Sequence, residues 1–313
     1  MRTLIIGHTG QDGQLLWDQL IERGHSIIGI SRSGTRYHAA TGGHNVQVTD
    51  PNEMRSVIAD FRPHYVYYLA ACHHSSEDMP INAFDVHQES WRTHVHAFEA
   101  ILESLRLRAP TARVFYASSS RIFGTSAVCP QNEATPLAPA CIYGTTKASG
   151  MLVAGYFRRV HSMHVSCGIL YNHESAIRGR QFVSQRVVQG LVAIKKGQSK
   201  SLEIGSLDAL VDWGYAPDYT RAMTLMLERD QSGDLVVATG NVHSVRDLVA
   251  NAAAVLNLDW QDIVVEKTPI LQRSSQELRG DASRLRAETG WEPKVSFDQM
   301  VKIMVGSALS GAC

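Results

Sequence analysis

Short apolar runs alternate with amphipathic stretches of helical spacing along the first half of the chain. Residues 3–6 and 26–30 are rich in isoleucine, and the segment between them repeats leucine at helical intervals. Apolar runs of this length predict buried strands, and an alternation of strands and helices predicts a parallel sheet covered by helices. We therefore expect an α/β chain built on a doubly wound parallel sheet.

Other strands are expected wherever apolar, β-branched or aromatic residues run together. The predicted strands are residues 3–6, 26–30, 45–48, 65–70, 113–120, 164–171, 201–205 and 234–238. A long helix is expected over residues 81–108, because apolar side chains recur there on one face. The side chains expected to be buried on that face are Phe84, Trp91, Val95, Phe98, Ile101, Leu102 and Leu105.

The overall composition excludes several classes of protein. The chain has 313 residues with 30 basic and 30 acidic side chains, so no excess of charge indicates a nucleic acid or a membrane surface as partner. Its five cysteines show no Cys-x-x-Cys spacing, which argues against a disulfide framework and favours a reducing cytoplasm. The first predicted strand begins at residue 3, so we expect no signal peptide, and no apolar run approaches membrane-spanning length.

A glycine-rich loop joins the first predicted strand to the first predicted helix, with the sequence Gly7-His-Thr-Gly-Gln-Asp-Gly13. Glycines three residues apart permit a tight turn and a close approach of the backbone to a pyrophosphate. The N-terminus of the following helix attracts the phosphate charge. The loop therefore predicts a dinucleotide-binding site of the Rossmann type.

The end of the second predicted strand indicates which dinucleotide is bound. Ser31-Arg32-Ser33 stands where an acidic residue would hold the ribose hydroxyls of NAD, and arginine with hydroxyl donors suits the 2′-phosphate of NADP. We predict NADP and keep NAD as the alternative, since Arg32 is also consistent with a solvated surface residue. The predicted cofactor contacts are Gly7, Thr9, Gly10, Gln11, Asp12, Gly13, Arg32, Val48, Ala70, Tyr143 and Lys147.

Three serines end the predicted strand at residues 113–120, and a helical segment carrying Tyr143 and Lys147 follows. The spacing of four residues places the phenol and the ammonium on one helical face. We expect the ammonium to lower the pKa of the phenol from about 10, so that Tyr143 accepts a proton from an alcohol beside a nicotinamide ring. The predicted catalytic residues are Ser119, Tyr143 and Lys147. Because Tyr-x-x-x-Lys also occurs by chance, this prediction depends on the glycine loop and the serine strand.

Histidines are frequent near two of the predicted elements. His73 and His74 follow the strand at residues 65–70, and His87, His94 and His96 lie in the long helical stretch. Their spacings match no common ligand motif, and no set of cysteines or carboxylates accompanies them. We predict no metal site.

Several longer blocks of sequence carry a family resemblance. They are Gly7 to Gly13, Leu170-Tyr-Asn-His-Glu-Ser175 with Arg178-Gly179, Gly205-Ser-Leu-Asp-Ala209, Asp212-Trp-Gly-Tyr-Ala-Pro-Asp-Tyr219, and Ala238-Thr-Gly-Asn-Val-His-Ser-Val-Arg246. Through these blocks the chain resembles an extended short-chain dehydrogenase/reductase, and it closely resembles the GDP-mannose 4,6-dehydratase family over almost its whole length. The resemblance implies a Rossmann domain over residues 1–172, with returning segments from about residue 206 to 242, and a smaller C-terminal α/β nucleotide-sugar lobe over residues 173–313. It also implies NADP, a GDP-linked hexose as substrate, and a homodimer or homotetramer.

The resemblance fails at one residue of the implied chemistry. Members of the family use a glutamate as acid and base to eliminate water across C5 and C6, and Arg121 stands at that position here. A guanidinium, with a pKa above about 12, cannot transfer a proton in that way. The residues that we assign to substrate binding are Ser120, Arg121, Asn172, Glu174, Arg178, Arg186 and Arg279.

Three functions are consistent with this reading. The first is an NADP-dependent oxidoreductase that acts at C4 of a nucleotide sugar, as a 4-keto-sugar reductase or a 4-epimerase. The second is GDP-mannose 4,6-dehydration itself. The third is a catalytically silent partner subunit that binds cofactor and nucleotide sugar, which the presence of Tyr143 and Lys147 argues against.

Overall fold

The computed structural model describes residues 1–40, 45–72, 83–124, 126–267 and 277–311. Its strands are β1 Arg2–Ile6, β2 Ser26–Ser31, β3 Gly34–His38, β4 Tyr65–Tyr68, β5 Arg113–Ser119, β6 Val165–Leu170, β7 Asn172–Glu174, β8 Leu202–Ile204, β9 Leu210–Tyr215, β10 Asp234–Val237, β11 Val242–Ser244 and β12 Val264–Glu266. Its helices are α1 Gln11–Glu22, α2 Pro51–Phe61, α3 Ala83–Trp91, α4 Ala97–Arg108, α5 Ile142–His161, α6 Val183–Lys195, α7 Ala216–Glu228, α8 Val245–Leu256, α9 Ser283–Thr289 and α10 Phe297–Ser310.

A seven-stranded sheet in the order β10-β6-β5-β4-β1-β2-β3 forms the centre of the molecule. All neighbouring pairs are parallel except β2 with β3. The strand order reverses between β1 and β4, and in a doubly wound sheet ligands bind outside the carboxyl ends of the strands at such a point. The doubly wound α/β fold predicted from the sequence is confirmed.

Apolar side chains cover both faces of the sheet. On one face, α2, α4 and α5 pack their buried side chains, and the rings of Phe98 and Tyr116 lie 4.4 Å apart. On the other face, α1 and α7 bring Trp17 and Tyr219 into the core. Phe98 is fully buried, so its truncation to alanine should cost about 3–5 kcal/mol.

The C-terminal part of the chain builds two small sheets and a helical layer. The sheets run in the orders β11-β9-β7 and β12-β8, and α6, α8 and α10 share a separate apolar core with the ring of Trp213. Asp212 in β9 is buried and accepts hydrogen bonds from the backbone N–H groups of Thr239, Gly240 and Gly280. These bonds tie β9 to the chain that follows β10. Ser244 caps α8 as part of a reciprocal capping box.

Two predictions about individual elements were wrong. Residues 45–48 form no strand, because β3 turns back from β2 as a hairpin and occupies the edge of the sheet. The backbone N–H of Val46 bonds instead to the Thr35 hydroxyl at 2.9 Å. The helical stretch after residue 81 is described from Ala83, and a π-helical turn at Arg92–His96 separates α3 from α4. The wider turn rotates the two faces relative to each other, and Phe84 is 65% exposed rather than buried.

No helix within the described ranges is long and apolar enough to cross a bilayer.

Candidate active site

Ser119 and Tyr143 meet where the end of β5 touches the start of α5. The Ser119 hydroxyl accepts a hydrogen bond from the N–H of Arg121 at 3.3 Å and so caps the single helical turn Ser120–Ile122. Gly144 lies against this turn, where a Cβ would stand only 2.4 Å from the carbonyl oxygen of Arg121. The missing side chain therefore permits α5 to approach β5 closely, which places the Tyr143 phenol in hydrogen-bond contact with the Ser119 side chain.

Tyr143 is partly buried and lies against a histidine. The ring of His94 meets the tyrosine ring edge-on, with 5.4 Å between the centroids. Burial raises the pKa of the Tyr143 phenol to about 12, while the Arg178 cation and the hydrogen bond with Ser119 act in the opposite direction. In the chain by itself the phenol is thus protonated at neutral pH.

Lys147 is buried one turn further along α5. Its Nζ donates to the carbonyl oxygen of Ala117 at 2.8 Å and lies 5.8 Å from the centroid of the Tyr143 ring. Burial lowers the pKa of Lys147 to about 7, although the Asp12 carboxylate acts to raise it. The expectation that lysine makes the phenol acidic was therefore wrong for the chain alone, because both groups lose solvation and the ammonium is itself half neutral near pH 7. The cation that acts against the effect of burial on the Tyr143 pKa is Arg178.

The glycine loop forms a cradle in which side chains would collide with the backbone. Gly7 has a φ of +95°, and a Cβ there would lie 2.8 Å from the Ala70 nitrogen. A Cβ on Gly13 would lie 2.3 Å from the carbonyl oxygen of Gly7. Thr9 and Gly10 are exposed, and Gly10 begins α1 without a side chain over its N-terminus. This bare helix end and the close backbone fit a dinucleotide pyrophosphate.

The other predicted cofactor residues lie at the same end of the sheet. Arg32 is exposed in the turn between β2 and β3, and its charge reaches the thiol of Cys72 after β4. Val48 is nearly buried in the loop before α2, and Ala70 follows β4 beside Gly7. Arg32 is thus accessible to a 2′-phosphate.

Gln11 and Asp12 direct their side chains toward the segment that follows β6. Gln11 Nε2 donates to the carbonyl oxygen of His173 at 3.0 Å, and its Oε1 accepts from the Ser175 hydroxyl at 2.7 Å. His173 Nε2 lies 3.0 Å from both carboxylate oxygens of Asp12. We predicted both residues as cofactor contacts; the structure gives their side chains protein partners, and the contact with the cofactor stays a prediction.

The predicted substrate residues after β6 divide into exposed and paired groups. Asn172 is exposed, whereas Glu174 is buried and accepts a 2.5 Å hydrogen bond from the Ser184 hydroxyl. Arg178 Nε lies 3.3 Å from Glu174 Oε2, and its guanidinium packs 3.6 Å from the centroid of the Phe182 ring. Arg178 therefore reaches the site as a fixed cation.

The remaining substrate candidates are more dispersed. Ser120 is buried, whereas Arg121 is exposed. Arg186 on α6 donates to the carbonyl oxygen of Glu203 at 3.5 Å, and Arg279 Nε lies 3.5 Å from a carboxylate oxygen of Glu277. Burial makes direct contact between Ser120 and a ligand unfavourable, so Arg121 is the better candidate of the pair.

His94 contributes to the candidate site by contacting the Tyr143 ring, a role that its position in the sequence did not predict. Its Nδ1 lies 2.7 Å from the Thr146 hydroxyl, and its Nε2 accepts from the N–H of Cys72 at 2.9 Å. No local spacing distinguishes His94 from the other histidines, because its partners lie 22 and 52 residues away. His73 and His74 lie outside the described residues. Where residues are described, no three His, Cys, Asp or Glu side chains stand close enough to hold a metal ion.

A Rossmann sheet with a glycine loop and a Ser–Tyr–Lys set at its carboxyl edge, followed by a smaller lobe, defines the extended short-chain dehydrogenases/reductases. The model of the GDP-mannose 4,6 dehydratase family matches residues 4–304, so the chain belongs to that family. The predicted family is thereby confirmed.

Relatives and solved structures agree with this assignment. GDP-mannose 4,6 dehydratase 1 of Arabidopsis thaliana is 31% identical, with 98% of this chain and 89% of the plant protein aligned. GDP-mannose 4,6-dehydratase of Vibrio cholerae is 30% identical over 99% of this chain and 94% of its own length. RMD from Pseudomonas aeruginosa, solved with NADPH, has a TM-score of 0.84 at 19% identity and covers 99% of both chains. UDP-glucose 4-epimerase of Thermotoga maritima, solved with UDP-glucose, has a TM-score of 0.86 at 20% identity over the full length of both chains.

Proposed function

We propose that this protein is an NADP-dependent oxidoreductase that acts at C4 of a GDP-linked hexose, as a 4-keto-sugar reductase or, second, as a 4-epimerase. The observation that carries the proposal is the contact between the Ser119 hydroxyl and the Tyr143 phenol, next to a buried lysine. The lobe formed mainly by residues 173–313 would hold the nucleotide sugar, and the domain of residues 1–172 would hold the cofactor.

The residues of the glycine loop fit the cofactor. Gly7, Gly10 and Gly13 would hold the pyrophosphate, and Arg32 would bind the 2′-phosphate that distinguishes NADP from NAD. When bound, the nicotinamide supplies or accepts the hydride at the sugar carbon. The complex of the Pseudomonas protein with NADPH supports NADP, and the complex of UDP-glucose 4-epimerase of Thermus thermophilus with NAD keeps NAD as the alternative.

Tyr143 and Ser119 would handle the proton at the C4 oxygen. Ser119 orients that oxygen and Tyr143 gives a proton to it during reduction, or takes one during oxidation. With a pKa of about 12 in the chain alone, the phenol carries its proton at neutral pH, which is the state that donation to the C4 oxygen requires.

Arg121 disfavours dehydration by the route that the family implies. Losing a positioned general acid and base costs about 10²- to 10⁴-fold in rate. The acidic side chains of Asp12 and Glu174 pack near this site, but each is held in an ion pair, with His173 and with Arg178. Neither is a ready substitute for the missing glutamate.

Two incubations test the proposal. One contains GDP-mannose, and the other contains its 4-keto-6-deoxy derivative with NADPH; absorbance and products are followed in both. We expect consumption of NADPH in the second and no keto-deoxy product in the first. Conversion of GDP-mannose to the keto-deoxy sugar would instead place GDP-mannose 4,6-dehydration first, the activity that the names of the aligned relatives favour.

Substitutions at Arg121 test the argument against dehydration. Arg121→Glu places a carboxylate at the end of β5, so dehydration of GDP-mannose should become measurable. Arg121→Gln is the matched control, because it removes the same charge without adding a titratable group. Equal rates of dehydration by both variants would contradict the claim that the lack of a carboxylate at position 121 prevents dehydration.

A silent partner subunit is the alternative from another class. It would bind NADPH without turning over any sugar nucleotide, and Tyr143→Phe would then behave as the wild type does.

We also propose that the protein is a homodimer or homotetramer and resides in the cytoplasm. Leu152, Tyr156 and Val160 form an exposed apolar row, four residues apart, on α5. An exposed apolar row of this kind is typical of a surface that another chain covers. Leu152→Glu should lower the mass measured by light scattering, whereas Leu309→Glu on the exposed side of α10 should not; an unchanged mass in both would contradict this surface.

A further inference from the structure

His173 is buried, and both of its ring nitrogens face hydrogen-bond acceptors. Nδ1 lies 2.7 Å from the carbonyl oxygen of Tyr171, which can only accept. Nε2 lies 3.0 Å from each carboxylate oxygen of Asp12. The Asp12 carboxyl has its pKa lowered and is ionised at neutral pH, so it too can only accept. A neutral imidazole has one N–H and can satisfy only one of these two partners.

We propose that His173 is held as an imidazolium by Asp12 and Tyr171, and that this ion pair positions the glycine loop to bind the cofactor. The second part of this proposal, that the ion pair positions the loop for cofactor binding, rests on the proposed function. The charge on the ring follows from the two acceptors and the ionised state of Asp12, and it does not depend on the proposed function.

The ion pair joins two segments that are distant in sequence. Asp12 lies in the first turn of α1, directly after the glycine loop, and His173 lies in β7. Hydrogen bonds of Gln11 with the carbonyl oxygen of His173 and with the Ser175 hydroxyl run beside it, and Gln185 of α6 donates to the carbonyl oxygen of Ser175 at 3.0 Å. Together these contacts fasten the start of α1 to the entrance of the C-terminal lobe.

Charged groups around the pair favour the ionised state on balance. Burial opposes a charge on His173, and the nearby Arg178 cation does so too, but Asp12 outweighs both and raises the pKa of the ring. Burial likewise opposes a charge on Asp12, yet His173 and then Arg178 lower the pKa of that carboxyl. From α7, the Tyr219 ring stacks on the imidazole with 4.6 Å between centroids and adds no charge at neutral pH. On α5, the Lys147 ammonium and the Tyr143 phenol are within electrostatic reach of Asp12.

The sign of the pH dependence follows from these directions. A raised His173 pKa contributes stability that is complete below the ordinary value of 6.5 and is lost as the pH rises through the folded-state pKa. A lowered Asp12 pKa contributes stability that is present above the ordinary value of 3.8 and is lost as the pH falls through the folded-state pKa. The ion pair is therefore intact in the range between the two folded-state values.

Nuclear magnetic resonance of the imidazole nitrogens in the cofactor-free, full-length protein tests the charge. We expect the His173 ring to carry protons on both nitrogens at pH 6.5, where an ordinary histidine is half neutral. A ring with one unprotonated nitrogen at that pH would overturn the inference. The measurement requires no variant and no sugar substrate.

Titration with NADPH tests the positioning role. His173→Gln and Asp12→Asn should each weaken NADPH binding by about tenfold or more. The double variant should lose little beyond either single change, because each removes the same pair. The matched control is His25→Gln, which alters a buried histidine at the opposite edge of the sheet, bonded to the Thr3 hydroxyl at 2.8 Å.

The pH profile separates positioning from a general loss of structure. In the wild type, the dissociation constant for NADPH should rise as the pH passes the folded-state pKa of His173, and in His173→Gln this rise should be absent. Equal affinity in His173→Gln and His25→Gln, or the same pH profile in variant and wild type, would overturn the positioning role. Failure of wild-type protein to bind NADPH would overturn the proposed function with it, whereas a neutral ring overturns this inference alone.

Discussion

Histidines at the two ends of the strands of the central sheet, the amino edge where strands begin and the carboxyl edge where they end, have their pKa values shifted in opposite directions. At the amino edge, His25, His64 and His164 directly precede β2, β4 and β6, and each has its pKa lowered, first by burial. At the carboxyl edge, His173 is also desolvated, but its pKa is raised. Desolvation, to different degrees, is thus common to both edges, and the partner of each ring decides the direction of its pKa shift.

The groups that face these histidines differ between the amino and the carboxyl edge. His164 lies near the cations of Arg113 and Arg229, which oppose a positive ring, and His25 bonds to a neutral hydroxyl. His173 faces a carboxylate. The amino edge therefore favours neutral histidines, and the carboxyl edge holds charged groups away from water, as the proposed proton transfer there would require.

The largest expected effect is a loss of activity when Tyr143, at the carboxyl edge, is replaced. Tyr143→Phe removes the phenol that we propose exchanges a proton with the substrate, so we expect kcat to fall by about 10²- to 10⁴-fold. Tyr65→Phe, at the start of β4 on the amino edge, is the matched control. Steady-state kinetics with the substrate that proves to be turned over measures both, and equal activity would exclude Tyr143 from the chemistry.

Lys147→Met should reveal how much the buried ammonium at the carboxyl edge destabilises the folded chain. The folded-state pKa of Lys147 is about 7 against an ordinary value of 10.5, so the wild-type fold binds fewer protons than the unfolded chain between these values, and its stability rises with pH there. Methionine removes this dependence, although the lost hydrogen bond to Ala117 costs about 1 kcal/mol at every pH. The melting temperature of the variant minus that of the wild type should be larger below pH 7 than near pH 10. The same difference at all pH values would contradict the buried charge.

His164→Gln should show a smaller pH effect of the same sign at the amino edge, in a more acidic range. Burial, with Arg113 and Arg229, lowers the pKa of His164 to about 4, so the unfolded chain gains a proton before the folded chain does. Wild-type stability should therefore decline as the pH falls from 6.5 to 4, and part of this decline should disappear in the variant. Thermal melts across that range measure the difference, and an unchanged decline would assign acid sensitivity to other groups.

Local sequence predicts the contacts between residues that are close in the chain, and it does not predict those between distant segments. The glycine loop and the Tyr143–Lys147 pair depend on spacings of a few residues, which helix and turn geometry translate directly into position. The Asp12–His173 pair joins residues 161 apart, and no periodicity reports such a contact. The lowered pKa of Lys147 was missed for the same reason, because it results from burial by distant segments. The π-helical turn at Arg92–His96 likewise has no signal in the apolar pattern and changes which side chains that pattern buries.

Transfer of an isotope from the cofactor tests the central claim most directly. NADPH deuterated at C4 of the nicotinamide is incubated with the protein and GDP-4-keto-6-deoxymannose, and the product is examined by mass spectrometry and magnetic resonance. The account predicts deuterium at C4 of the sugar and its loss in Tyr143→Phe. Absence of deuterium from C4, with GDP-mannose dehydrated by the same preparation, would contradict it.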